Sequence, residues 1–247
     1  MIPIKSALEL EAMRKAGALL ARIADKIRTT IAIGKSTEEI DAFAEALILK
    51  EGALPAFKGY HGFPASVCTS INEEVVHGIP SQRQLKDGDI LKLDIGINVN
   101  GFYSDCAFTV LLGNVSGRQR RLVDATKKAL DIGLAQAWPN NHLYDISSAI
   151  QKFVEAQGFS VVRDFVGHGI GRLMHEAPEV PNSGQPHTGP ILKEGMVLAI
   201  EPMVNMGTWE VVIADNKWTA RAKDNLASAH FEHTVAVTAN GPEILTR

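Results

Sequence analysis

The chain has 247 residues, 45% of them hydrophobic, a net charge of −3 and only two cysteines. A chain of that length buries about 70–75% of its unfolded surface, in one large domain or two close halves. Mixed charge leaves no basic face for nucleic acid. Cys68 and Cys106 fit a reducing compartment, and no apolar stretch is long enough to span a membrane. Lys5, Glu9, Glu11, Arg14 and Lys15 stand where a signal sequence would be apolar, so a soluble, cytoplasmic protein is expected.

In chain order, Ser6 and Glu9 form a capping box that opens a helix running to about Arg28, with Met13, Ala16, Leu20, Ile23 and Ile27 in its apolar stripe. Ser36 and Glu39 open a second, which ends at Gly52. Residues 53–64 have no periodicity and are rich in glycine, proline and aromatics. Phe57, Tyr60 and Phe63 are too many rings for idle surface, so this loop is expected to line a pocket. A strand follows over 65–70, and then His77 beside a Gly-Ile-Pro turn. Taken alone, that histidine is polar surface.

Residues 86–94 and 193–201 align without a gap at an offset of 107. In each stretch a charged turn ending in glycine opens an apolar strand that delivers one carboxylate, Asp94 or Glu201. An ionised carboxylate in a core costs several kcal/mol unless something positive meets it. No lysine or arginine stands beside either one on the core face, except that Lys92, two residues from Asp94, is free to turn inward or outward. After Asp94, the Asn100-Gly101 pair predicts a tight turn into a return strand carrying Asp105. After Glu201 a longer excursion returns through a strand carrying Glu232. If the halves are related by a pseudo-two-fold, four carboxylates converge, and about two divalent cations are needed to neutralise them.

The second half repeats the first. Ser116 and Gln119 open a helix to about Trp138, and another runs from roughly Tyr144 to Gln157. The expected fold class is therefore α+β, a pseudo-two-fold duplication with an inner antiparallel sheet and outer helices. It forms a single domain over 1–247, with halves of about 1–112 and 113–247 and the site between them. A short strand over 159–164 leads to a loop in which three glycines surround His168 and leave its imidazole accessible. Imidazole joined to carboxylates suits iron, manganese, cobalt or zinc better than calcium. His168 and His175 also read as loop histidines bonded to backbone. Trp218 either plugs the core or walls the pocket together with the 57–63 loop.

Asp94, Asp105, His168 followed by Gly-Ile-Gly, Glu201 followed by proline, and Glu232 resemble, in order and spacing, the five metal ligands of the type I (bacterial) methionine aminopeptidases, whose fold is called pita-bread. The resemblance spans nearly the whole chain. It implies that Asp105 and Glu232 bridge two divalent ions (Mn, Co, Fe or Zn), that Asp94 completes one shell and that His168 and Glu201 complete the other. It implies metal-assisted hydrolysis that removes the N-terminal methionine of peptides and nascent chains with a small second residue. Glu201 would be the proton shuttle, His175 would polarise the scissile carbonyl and His77 would hydrogen-bond the scissile amide. Tyr60, Phe63, Cys68, His77, His175 and Trp218 would form the substrate pocket with Phe57. Phe57 and Met174 stand where the best-known bacterial members carry Cys and Phe, which bears on pocket width and leaves the chemistry alone. A monomer that meets the ribosome transiently is a further expectation. Two alternatives stay open. Proline-specific relatives share the ligands but usually carry a further N-terminal domain, and non-catalytic binding modules on this fold lack several ligands.

Overall fold

The structure, a computed structural model, describes all of residues 1–247. Its helices are α1 (Ala7–Arg28), α2 (Thr37–Lys50), α3 (Gly117–Leu134) and α4 (Leu143–Ala156). Its strands are β1 (Leu54–Pro55), β2 (Val67–Ile71), β3 (Glu74–Val76), β4 (Ile90–Val99), β5 (Phe102–Leu111), β6 (Ser160–Val161), β7 (Gly167–Gly169), β8 (Glu176–Val180), β9 (Val197–Ile200), β10 (Met203–Asn205), β11 (Val211–Ile213), β12 (Ala220–Ala222), β13 (Ser228–His230), β14 (Glu232–Thr238) and β15 (Gly241–Ile244). No helix is long and apolar enough to cross a membrane.

The expected capping boxes form. Ser6, Ser36 and Ser116 each accept from the backbone N–H three residues on, and Glu9, Glu39 and Gln119 reach back to the capping residue's own N–H. These reciprocal bonds satisfy two of the donors a helix start leaves orphaned. α4 starts instead with His142, whose N–H donates to Asp145 at 2.8 Å. α3 stops at Leu134, four residues before the expected end. Residues 135–137 leave it in tight turns, with Gln136 N–H donating to Gly133 and Ala137 N–H to Leu134.

A nine-stranded sheet is the centre of the molecule, in the path β1-β4-β5-β14-β9-β7-β8, with β2 also on β4 and β15 also on β14. Every pairing in it is antiparallel. The β4–β5 hairpin closes through Asn100 and Gly101, both at positive φ (51° and 82°), with Val99 opposite Phe102. Only a turn of that conformation matches the strands' right-handed twist.

Strand alternation decides which face each side chain takes. Leu91, Leu93, Ile95 and Ile97 of β4 pack with Leu20, Ile23 and Ile27 of α1 and Ile40 of α2. Leu198 and Ile200 of β9 and Val235 and Val237 of β14 pack with Leu122 and Leu130 of α3 and Ile146 and Ile150 of α4. The helices thus cover one face of the sheet. The residues in between, Asp94, Asp105, Glu201 and Glu232 among them, are left to the other. Two three-stranded sheets, β13-β10-β6 and β11-β12-β3, complete the strands, the second of them joining β3 from early in the chain to β12.

Candidate active site

Register brings the carboxylates together. Ala107 of β5 lies opposite Asp94 on one side and opposite Glu232 on the other, and Asp105 follows on the same face. Glu201 leaves the end of β9, two residues beyond Ala199, which is paired with His168 of β7. Ala107 is the small side chain in this row and leaves space between its acidic neighbours. His168 Nε2 stands 4.0 Å from Asp105 Oδ2 and 3.8 Å from Glu201 Oε1. Its Nδ1 is 2.9 Å from the Gly169 carbonyl. Nδ1–H donates there, which fixes the tautomer and turns the Nε2 lone pair toward the carboxylates.

The electrostatics are those of a site built for cations. Burial pushes Asp94 up to about 7, with Glu201 adding to the rise and His230 opposing it, and burial pushes Glu201 up to about 8. Asp105 and Glu232 are raised well above the usual carboxylate range, by burial first and by the other carboxylates next. Burial also lowers His168 to about 3, so its imidazole is neutral and ready to donate a lone pair. Asp94 Oδ1, Asp105 Oδ1 and Glu232 Oε1 are buried without any hydrogen-bond partner. Buried oxygens are rarely left so in a folded protein. Asp105, His168 and Glu232 offer ligand atoms within 4.8 Å of one another, and so do Glu201, His230 and Glu232. Mixed carboxylate and imidazole donors, with orphaned oxygens facing one space, fit divalent transition metals.

A cavity of about 330 Å³ opens onto this cluster. Its lining includes every residue singled out from the sequence: Phe57, Tyr60, Phe63, Cys68, His77, Asp94, Asp105, His168, His175, Glu201, Trp218 and Glu232. Trp218 stands edge-on to Phe63 with ring centroids 5.2 Å apart, so it walls the cavity instead of plugging the core. Cys68 is paired with Asp94 across β2 and β4, which aims it at the same space. His175 lies at the rim. Its ring centroid is 4.2 Å from that of His168, and its Nδ1 is 2.8 Å from the Tyr60 hydroxyl. Burial, then His61, lowers its pKa, so it is neutral. In the tautomer in which Tyr60 donates to Nδ1, His175 keeps Nε2–H as a donor. Burial holds His77 neutral too, at about 4, and its ring meets Phe165 edge-on at 5.4 Å.

Some lining residues had no signal in the sequence. Asp164, Phe165 and Val166 precede the glycine loop and reach the cavity only because of its path, and Met203 follows Glu201 past a proline. Two buried cations-in-waiting were also missed or left open. Lys92 does turn inward. It is 1% exposed, Nζ donates to the Asn72 carbonyl at 2.7 Å, and burial lowers it to about 7. His230, also 1% exposed, has neither ring nitrogen hydrogen-bonded, and its Nε2 is 3.5 Å from Glu201 Oε2. Residues 230, 232 and 234 alternate onto one face, which is the signal that could have found it.

The profile of metallopeptidase family M24 matches residues 11–239. The methionine aminopeptidase of Clostridium perfringens is 52% identical over 246 residues, covering 100% of this chain and 99% of that protein. Methionine aminopeptidase 1 of Bacillus subtilis is 49% identical, with full coverage of both. The crystal structure of the Thermotoga maritima methionine aminopeptidase superposes with a TM-score of 0.98 at 44% identity, over 100% of both chains. A prolidase from Pyrococcus furiosus shares the architecture at a TM-score of 0.81 and 25% identity, over 99% of this chain and 65% of its own. The curled antiparallel sheet with its four helices is thus the pita-bread fold, and the chain belongs to metallopeptidase family M24, within the methionine aminopeptidase group.

Proposed function

We propose that this chain removes the N-terminal methionine from peptides and nascent proteins whose second residue is small. One juxtaposition carries the reading: four carboxylates and a neutral imidazole, with orphaned buried oxygens, at the floor of a cavity walled by Phe57, Phe63, Cys68, Met174 and Trp218. Ligand cavities run from roughly 300 to 1,000 Å³, so this one suits a single apolar side chain and its amide. On this reading Asp94, Asp105, His168, Glu201 and Glu232 hold two divalent ions. Bound there, the ions supply Lewis acidity and an activated water.

The protein's own groups do the rest. Tyr60, Phe63 and Trp218 hold the methionine side chain away from water. His175 Nε2–H donates to the carbonyl oxygen of the first peptide bond and stabilises the charge that develops on it. Glu201 takes a proton from the attacking water and delivers it to the leaving nitrogen, the acid-base role open to a carboxylate placed beside the bond being cut. His77 hydrogen-bonds that amide from the other side and crowds the second side chain. The reading includes one catalytic domain of two related halves, 1–112 and 113–247, acting as a cytoplasmic monomer that meets chains emerging from the ribosome. The test compares Met-Ala, Met-Lys and Ala-Pro peptides with protein loaded with manganese or cobalt. Fast release of methionine from Met-Ala alone is expected. Faster cleavage of Ala-Pro, in the manner of a prolidase, or equal cleavage of Met-Lys, overturns it.

A further inference from the structure

We propose that His230 is a positioning residue for Glu201: its Nε2–H holds Oε2, so that Oε1 alone faces the metal position shared with His168. The inference rests on the reading of Glu201 as a ligand. The two oxygens of Glu201 already face different groups, Oε1 lying 3.8 Å from His168 Nε2 and Oε2 lying 3.5 Å from His230 Nε2. The second distance exceeds a hydrogen bond by a few tenths of an ångström, which a small rotation of the carboxylate closes. Such contacts are often long before the site is loaded.

His230 makes no side-chain hydrogen bond, although Asp94 and Lys92 lie near enough to act on its charge. Both its ring nitrogens are buried and unpartnered, which a folded protein tolerates only for a reason. Its backbone is clamped from both sides by Thr109, whose hydroxyl accepts from its N–H at 3.1 Å and donates to its carbonyl at 2.6 Å. β13 pairs His230 with Met203, two residues past Glu201, so the imidazole cannot drift from the carboxylate. Ligand atoms of Glu201, His230 and Glu232 lie within 4.8 Å of one another, so direct coordination by the imidazole is the rival role. Charge favours positioning. Four carboxylates already balance two divalent ions, and His230 Nε2, 3.5 Å from Glu201 Oε2, stands where a donor to that second oxygen would be. A ligating carboxylate held at one oxygen stays monodentate and leaves a coordination position open to substrate.

The test uses His230→Gln, which keeps an N–H donor, and His230→Ala, which does not. His230→Leu replaces the alanine variant if that does not fold, as judged by metal-free thermal unfolding. Manganese is titrated by calorimetry, cobalt by visible absorption, and kcat and KM are measured on Met-Ala-Ser. The donor-less variant is expected to bind one of two equivalents about 10–100-fold more weakly and to lose kcat more than KM. The glutamine variant should recover both to within a few-fold, with cobalt bands unmoved. Donor-less protein that binds and turns over like wild type overturns the proposal. A glutamine variant that loses one equivalent and shifts the cobalt bands overturns it in favour of direct ligation. Wild type that takes up no divalent ion fails the reading of Glu201 itself, a result distinct from either.

Discussion

Loading the carboxylate cluster with metal must expel protons, and the structure says from where. In the metal-free protein Asp94 sits at about 7 and Glu201 at about 8, and Asp105 and Glu232 are likewise held well above the usual carboxylate range by burial and mutual repulsion. These groups titrate as one cluster, so what counts is how many protons it holds, not which oxygen carries them. At pH 7 it retains protons that an incoming divalent ion displaces. The sign follows directly. Below these raised values protons compete with metal, and above them they do not, so affinity rises with pH through about 7 to 8. Each displaced proton strengthens apparent affinity about tenfold per pH unit, or ~1.4 kcal/mol, so release of at least one gives a gain of about tenfold or more between pH 6.5 and 7.5.

The imidazoles do not confuse this count. Burial holds His168 at about 3 and His77 and His230 at about 4, so none has a proton to lose at neutral pH. Calorimetric titration with manganese at pH 7.5, in two buffers of different ionisation enthalpy, reads the number released. Asp94→Asn removes one acid from the cluster and relieves its neighbours, so it should release fewer protons while binding metal more weakly. Zero release by wild type at pH 7.5, or greater release by the variant, refutes the convergent-carboxylate account.

Other consequences are local. His175→Ala should lower kcat by ~10²–10³-fold, the usual cost of one oxyanion donor, with metal content unchanged by elemental analysis. Tyr60→Phe removes the hydroxyl 2.8 Å from His175 Nδ1. It should cost about 2–13-fold in kcat, from ~0.5–1.5 kcal/mol of hydrogen bonding, and nothing further in a His175→Ala background. Gly96→Ala places a methyl 2.8 Å from Phe57 Cε1, 3.0 Å from Ala56 Cβ and 3.3 Å from Met174 Cε. Overpacking of that kind costs ~1–3 kcal/mol, so the unfolding midpoint should fall, and KM for Met-Ala peptides should rise more than kcat falls.

Much of the site was legible because strand physics leaves few choices. Once residues 90–93 and 197–200 are read as strands, alternation puts Asp94 and Glu201 opposite the helix-facing Leu93 and Ile200, and Asn100-Gly101 fixes where Asp105 returns. The same alternation decided the direction of Lys92. It shares the face of Asp94, and an outward turn would have cost the contacts of Leu91 and Leu93 with α1 and α2. The sequence left that direction open, and the packed core settles it. His230 was harder, because the chain breaks at Phe231 between β13 and β14, and a period-two pattern is easily lost across a break. The end of α3 misled for a different reason. Pro139 is a sound stop signal, but the helix unwinds before reaching it, and helix ends are the least certain part of any such reading. The segment 164–166 carries no period at all, so only the folded path shows that it lines the cavity.

On the reading of two related halves, the halves have diverged in an orderly way. The first joins the strands that carry its two carboxylates by a turn of two residues, so no wall of the cavity is inserted between Asp94 and Asp105. The second separates Glu201 from Glu232 by the chain from 202 to 231, which folds into β10 to β13 and carries Trp218. Within that excursion β12 pairs with β3, which immediately precedes His77. The Thr219 hydroxyl lies 3.3 Å from the His77 carbonyl and donates to it. On the proposed reading, the wall that would select the side chain is thus tied by a hydrogen bond to the histidine that would meet the scissile amide. Phe63, from the other half, closes the wall at 5.2 Å from Trp218. On the same reading the ion-binding floor keeps its near-symmetry, because two cations would need matched charge from both sides. The substrate wall has none, because a peptide has a direction. Changes in residues 202–231 that spare Glu201, His230 and Glu232 should therefore alter which peptides are cut while leaving metal uptake and its proton release as they are.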